Sequence, residues 1–144
     1  MELSKAIRTA YFTALNGNVT FNSNIVPVFD AFAIPDGATP PYILLSSQTS
    51  VQGNLKRCKR YGASILVDIV TSSTDPIGRS DSEDIAEQIE NIVNPDSFAD
   101  LNLNANGYDI GNTSRAGDSD LSDKSGIYYI FRKLITYDHI VTKL

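Results

Sequence analysis

Ala63-Ser-Ile-Leu-Val-Asp-Ile-Val-Thr71 and, after a polar loop, Ser80-Asp-Ser-Glu-Asp-Ile-Ala-Glu-Gln-Ile-Glu-Asn-Ile-Val93 are the two runs whose reading decides the fold. In the first, Ala63, Ile65, Val67, Ile69 and Thr71 alternate with Ser64, Leu66, Asp68 and Val70, the period of two that sends successive side chains to opposite faces of a sheet. Leu66 and Val70 keep the second face half apolar, so the strand is expected to be central and covered in part on both sides. In the second run Ile85, Ala86, Ile89, Ile92 and Val93 form one helical stripe, with Asp81, Glu83, Asp84, Glu87 and Glu90 on the wet side. Ser80 three residues before Glu83 predicts a capping box at the helix start, and Asn94-Pro95 stops the helix.

Working back toward the start, Leu3, Ala6, Ile7, Ala10, Tyr11, Ala14 and Leu15 predict an amphipathic helix over residues 3–15, closed by Asn16-Gly17. Asn18 to Asn24 reads as a short hairpin or a loop. Ile25 to Ile34 has strand composition, but Pro27 lacks a ladder donor, which predicts an edge strand. Pro35 to Pro41 is a rigid turn, Tyr42 to Ser47 a short strand, and Gln48 to Leu55 a polar stretch leading to the central strand. Two antiparallel strands joined by an exposed loop fit this region.

On the other side of the second helix, Asp96 to Leu103 is ambiguous, with Phe98, Leu101 and Leu103 as anchors. Asn104 to Gly107 marks a turn and Tyr108 to Arg115 a strand. Ala116 to Gly126 is polar and acidic and reads as the most exposed loop of the chain. In the final strand Ile127, Tyr129, Phe131, Ile135 and Tyr137 line one face, interrupted by Lys133, with Tyr128, Ile130 and Leu134 on the other. It is expected to pair with the central strand and with the strand from Tyr108. The order helix, strands, helix, strands predicts an α+β fold with both helices on one face of an antiparallel sheet.

The totals bound what such a fold does. With 144 residues, 42% hydrophobic and 20% charged, the chain is expected to form one soluble domain over residues 1–144. No apolar run approaches the roughly 18 residues of a membrane-spanning helix. The start, Met-Glu-Leu-Ser-Lys, lacks a secretory pattern, which predicts a reducing cytoplasm, and Cys58 alone makes no internal disulfide. A net charge of -5 argues against a general nucleic-acid binder.

The chemistry-bearing residues are few. Lys56, Arg57, Lys59 and Arg60 form the one basic cluster, read as a solvated strand entry that blunts edge pairing in preference to a nucleic-acid patch, with a contact to an acidic partner or neighbouring subunit left open. Cys58 beside those bases and the lone His139 have no partnered catalytic pattern and are read as incidental, so no enzyme is predicted. Asp118-Ser-Asp-Leu-Ser-Asp123 resembles a Ca²⁺ loop only superficially, because Asp123 and Tyr129 stand where Gly and Glu are needed. No metal and no cofactor are predicted. Asp118, Asp120 and Asp123 are read as serving solubility or as facing a partner or a lumen.

Val28-Phe-Asp30, Pro35-Asp-Gly-Ala38, Pro41-Tyr-Ile43, the aliphatic strand and the helix Ser80 to Val93 together resemble the tail-completion or tail-terminator proteins of long-tailed bacteriophages, over nearly the whole chain. The resemblance implies a structural virion protein of the tail or neck, assembled in the host cytoplasm. Identical subunits, usually six, would close into a ring on the last ring of tail-tube protein, stop tube growth and offer a docking surface to the head connector or stopper protein. A head-to-tail interface that closes makes such a ring. Genomic DNA would pass the lumen without specific binding, which suits an acidic lining from Asp118, Asp120 and Asp123. Two other readings are a head-to-tail adaptor or stopper of the neck and a small α+β ligand-binding domain.

Overall fold

Helix α1 (Leu3–Leu15) buries the stripe Leu3, Ala6, Ile7, Tyr11 and Leu15, and the chain leaves it through Gly17 at φ 80°, a conformation that favours glycine. The computed structural model describes residues 1–54, 56–95, 101 and 103–144. Strands β1 (Thr20–Phe21) and β2 (Asn24–Ile25) pair as a small hairpin. Its two central residues, Asn22 and Ser23, both have positive φ, 50° and 66°, the turn geometry whose twist matches a hairpin. This settles the segment that composition left open.

Strand β3 (Val28–Asp30) is shorter than the expected Ile25 to Ile34 run. Pro27 contributes only its carbonyl, which accepts from Ile43 N at 2.9 Å. Asp30 ends the strand by accepting the Phe32 amide on Oδ1 and the Ala33 amide on its carbonyl. β4 (Tyr42–Gln52) lies parallel to β3, with Val28 opposite Ile43, and antiparallel to β5 (Arg60–Ser73). β4 therefore runs five residues past the Ser47 expected from composition, through Gln48 to Gln52. The polar side chains there are no obstacle, because the ladder to Tyr61–Ile65 is made by backbone groups.

Helix α2 (Ser80–Val93) has the predicted bounds but not the predicted cap. Ser80 is its first helical residue, Arg79 precedes it without a side-chain cap, and Ser82 Oγ donates to Arg79 O instead. The Asp75-Pro-Ile-Gly turn delivers the chain already coiled, with Gly78 N bonded to Asp75 O and Asp81 N to Gly78 O, which leaves no room for an extended capping residue. Phe98 and the rest of 96–100, with Asn102, lie outside the described residues; Leu103 is buried and Leu101 packs on the core.

The larger correction concerns Ala116 to Gly126. It is no loop: β6 (Tyr108–Ser125) continues through it and joins β7 (Tyr128–Lys143) across the two-residue turn Gly126-Ile127, with Gly126 at φ 63°. All residues from Ala116 to Ser125 are exposed. An outer strand with little apolar cover shows no hydrophobic alternation, so its polar sequence looked like loop while its backbone was satisfied by β7.

The five-stranded sheet has the order β3-β4-β5-β7-β6, antiparallel except at β3/β4, so the fold is α+β with a mixed sheet larger than expected. Both helices cover one face. Under them lie Ile43, Leu45, Ile65, Val67, Ile69, Ile135 and Tyr137, which join Ile7, Leu15, Ile85 and Ile89 in one core. Ile89 is fully buried, so Ile89→Asp places a carboxylate without a counter-ion in that core. The variant is expected to lose about 3 kcal/mol or more, roughly 10 °C of melting temperature, whereas exposed Glu87→Ala is expected to melt like the wild type. A wild-type melting curve for Ile89→Asp would show that the stripe is not buried.

Candidate functional site

Three groups of polar side chains survive the packing of α2 and the sheet, and each is placed by a strand register. His139 faces the helices opposite Ala63 and is 1% exposed. Tyr11 Oη lies 2.5 Å from its Nε2 and Thr113 Oγ1 2.9 Å from its Nδ1, so both ring nitrogens are engaged. Burial pushes its pKa down to about 4, and desolvation likewise raises that of Tyr11. A neutral imidazole held by α1 on one side and β6 on the other is a clamp between layers. It is not a base presented to a substrate.

The second group runs beside α2. Tyr137 Oη donates to Glu90 Oε2 at 2.5 Å, and that carboxylate oxygen lies 3.8 Å from Arg115 Nη1. Arg115 Nη2 reaches Asp118 Oδ2 at 2.6 Å, and Lys133 Nζ sits 3.5 Å from Asp118 and 3.4 Å from Asp120. Burial and the bond to Glu90 push the Tyr137 hydroxyl well above its usual range. The bond from Arg115, then the charge of Lys133, holds the Asp118 carboxyl below the usual carboxylate range. Of the three aspartates singled out by sequence, Asp118 and Asp120 thus share one face of β6 and are neutralised within the chain. Asp123 has odd parity with respect to them and faces away, where its Oδ1 accepts the Lys124 amide.

The opposite, helix-free face of the sheet carries the third group. Asp68, 2% exposed, accepts from Nε and Nη2 of Arg132 on β7, a bond that raises the Arg132 pKa. Around the pair Ile34, Tyr42, Leu44, Val70, Leu121 and Ile130 line an open groove of about 550 Å³. Asp68 reads in sequence as a polar position on a half-apolar face. The register that puts Arg132 two strand residues from it is not visible there.

The basic cluster lies at the far end of the molecule. Lys56, Arg57, Lys59 and Arg60 are exposed at the tip between β4 and β5, and among the described residues none of them takes part in an ion pair. Asp68, opposite Leu44 on β4, and Asp120, opposite Lys133 on β7, sit toward the other end of the same sheet. The structure therefore keeps the basic residues and the three aspartates apart. Cys58 is half-buried in the tip. Among the described residues no cluster of His, Cys, Asp or Glu could hold a metal ion, and no helix is long and apolar enough to cross a membrane.

The arrangement defines a layered α+β protein whose polar chemistry fixes strands and whose accessible features are a sheet face opposite the two helices, two sheet edges and a basic tip. No protein-family model matches the chain and no curated protein matches it. Among solved structures, a chain described as the virion of a native gene transfer agent particle shares the fold with a TM-score of 0.63. The match covers 96% of each chain at 12% sequence identity.

Two titrations check these assignments. His139 binds its proton less readily folded than unfolded, so its contribution to stability is fully present above about pH 6.5 and is lost as pH falls toward about 4. Equilibrium urea unfolding of the wild type is expected to lose more stability between pH 6.5 and 4.5 than that of His139→Gln; equal losses would refute the buried neutral ring. For Asp118, carboxyl NMR titration is expected to show a larger upward pKa change in Arg115→Gln than in Lys133→Met, because the Arg115 bond is the leading cause. The reverse order would contradict the geometry.

Proposed function

We propose that this chain is a structural subunit of a phage-like virion, acting as one domain that closes a ring of identical copies at the head-proximal end of a tail tube. The observation that carries the reading is the sharing of fold with a virion chain over 96% of each chain. The sequence pattern noted above, which resembles tail-terminator proteins, points the same way. The internal chemistry supports it too: His139 and the Glu90–Arg115–Asp118–Lys133 chain are consumed in holding strands, and what remains accessible is surface.

In this reading the partners are further copies of the chain, the tail-tube protein and the head connector or stopper, and DNA passes through without specific binding. Asp118, Asp120 and Asp123 are proposed to lie toward the lumen or a partner, with Asp123 carrying the charge that Arg115 and Lys133 do not compensate. Lys56, Arg57, Lys59 and Arg60 are proposed as the contact to an adjoining protein, since they stand on an exposed tip and, among the described residues, take part in no ion pair.

The test is to delete the coding sequence from the particle-producing genome and examine the products by electron microscopy. A subunit that ends tube growth leaves tails of uncontrolled length and heads without tails. Tails of normal length that fail to attach would instead indicate an adaptor or stopper, and normal particles would refute a virion role.

A further inference from the structure

The sheet has two long stretches of backbone with pairing capacity to spare. β6 is an edge strand of 18 residues, far beyond the about 5–6 of a usual strand, and among the described residues it is paired only with β7. Its bulges, between Ile110 and Asn112 and between Arg115 and Gly117, lie in its first half; from Gly117 to Ser125 the register is unbroken. Bulges and charged side chains are what ordinarily protect an edge. This half has no bulge, and the two carboxylates on its helix-side face, Asp118 and Asp120, are compensated by Arg115 and Lys133. On the other side of the sheet β3 covers only Ile43 to Leu45 of β4, so among the described residues the segment Ser46 to Gln52 has no partner on that side, its Gln48 to Gln52 pairing with β5 beyond a register shift at Ser46-Ser47. That segment, Ser-Ser-Gln-Thr-Ser-Val-Gln, has no charge at all.

We infer that copies of this chain join edge to edge, the Gly117–Ser125 half of β6 in one copy pairing antiparallel with the free Ser46–Gln52 edge of β4 in the next. The direction follows from topology. β4, β5, β7 and β6 succeed one another antiparallel, three reversals in all, so β6 runs opposite to β4 within a copy. A rotation about an axis along the strands preserves that relation, and it brings β6 of one copy against β4 of its neighbour as an antiparallel pair. Within a copy Asp118 is level with Leu45, through Ile135 and Val67. Leu121, at the centre of Gly117–Ser125, is level with Tyr42, and Thr49, at the centre of Ser46–Gln52, is level with Ser114, so the pairing needs a stagger of seven residues per copy (121 − 114), which strand tilt in a closed sheet has to supply. The contact uses a different edge on each side, so it propagates from copy to copy, and it gives a ring when the rotation per copy closes.

The inference deepens the ring reading of the proposed function and rests on it. Its test uses proline, which removes one backbone donor. Ser119→Pro and Ser122→Pro have opposite parity on β6, as Ser50→Pro and Val51→Pro have on β4; in each pair the variant that keeps the wild-type melting temperature is taken forward. Native mass spectrometry of the full chain is expected to show a closed oligomer for the wild type and monomers for each edge variant. An equimolar mixture of a β4-edge and a β6-edge variant is expected to give one-to-one heterodimers and nothing larger, because each copy keeps one working edge. Edge variants that still form the wild-type ring would overturn the edge contact while leaving the ring standing. Loss of assembly with the β6 variant alone would replace it by a two-fold pair. A wild type that stays monomeric yet is built into particles would overturn the inference and spare the virion role; one that is monomeric and absent from particles would overturn both.

Discussion

The ladder between β5 and β7 is the constraint on which everything else hangs. It runs in unbroken antiparallel register from Arg60 opposite Thr142 to Ser73 opposite Tyr129. Since side chains alternate at every step, that one register sends Ile65, Val67, Ile69, Ile135 and Tyr137 under the helices and Asp68 and Arg132 to the other face. A slip of one residue would bury Arg132 and expose Ile135. The aliphatic side chains on the helix face supply the driving force, and the Asp68–Arg132 pair penalises slippage, because an unpaired carboxylate at 2% exposure is costly.

Much of this was legible in the residues. The two helices carry three- and four-residue apolar spacing with clear stops at Asn16-Gly17 and Asn94-Pro95, and the β5 alternation has one unambiguous phase. What the residues concealed is backbone pairing without burial. The outer half of β6 contains Asp, Ser, Gly and Lys on both faces, so no periodicity distinguishes it from a loop; only the length of its partner β7 explains why it is a strand. The second half of β4 was missed for the same reason. Likewise the β3/β4 pair is parallel because Asp30 turns the chain out of the sheet before it can fold back as a hairpin.

The candidate site shows the same division. Lys133 stood out as a polar break on the apolar face of the last strand, a real signal of a buried polar network, whereas His139, read as incidental, proved to be buried on that same face. Their partners Tyr11, Thr113, Asp118 and Asp120 come from distant segments and could not be read from spacing. The three aspartates were grouped by sequence proximity, but strand parity splits them: two are tied to Arg115 and Lys133, and one is turned to the open face. Electrostatics that looked like a solvated acidic loop is largely internal cross-bracing, and the charge left over sits at the end of the sheet remote from the basic tip. Such a molecule presents edges and poles to its neighbours more than it presents a pocket to a small molecule.

The claim that unites fold and surface is that this chain works as one of several identical copies at the end of a tail tube. Cryo-electron microscopy of the assembled particle, with the head–tail junction reconstructed at a resolution that traces strands, addresses it directly. The account predicts a ring of copies between tube and head, their sheets around the channel and the β4–β5 tips directed at an adjoining protein. Density for this fold as isolated copies on the particle exterior, or its absence from the junction, would contradict it.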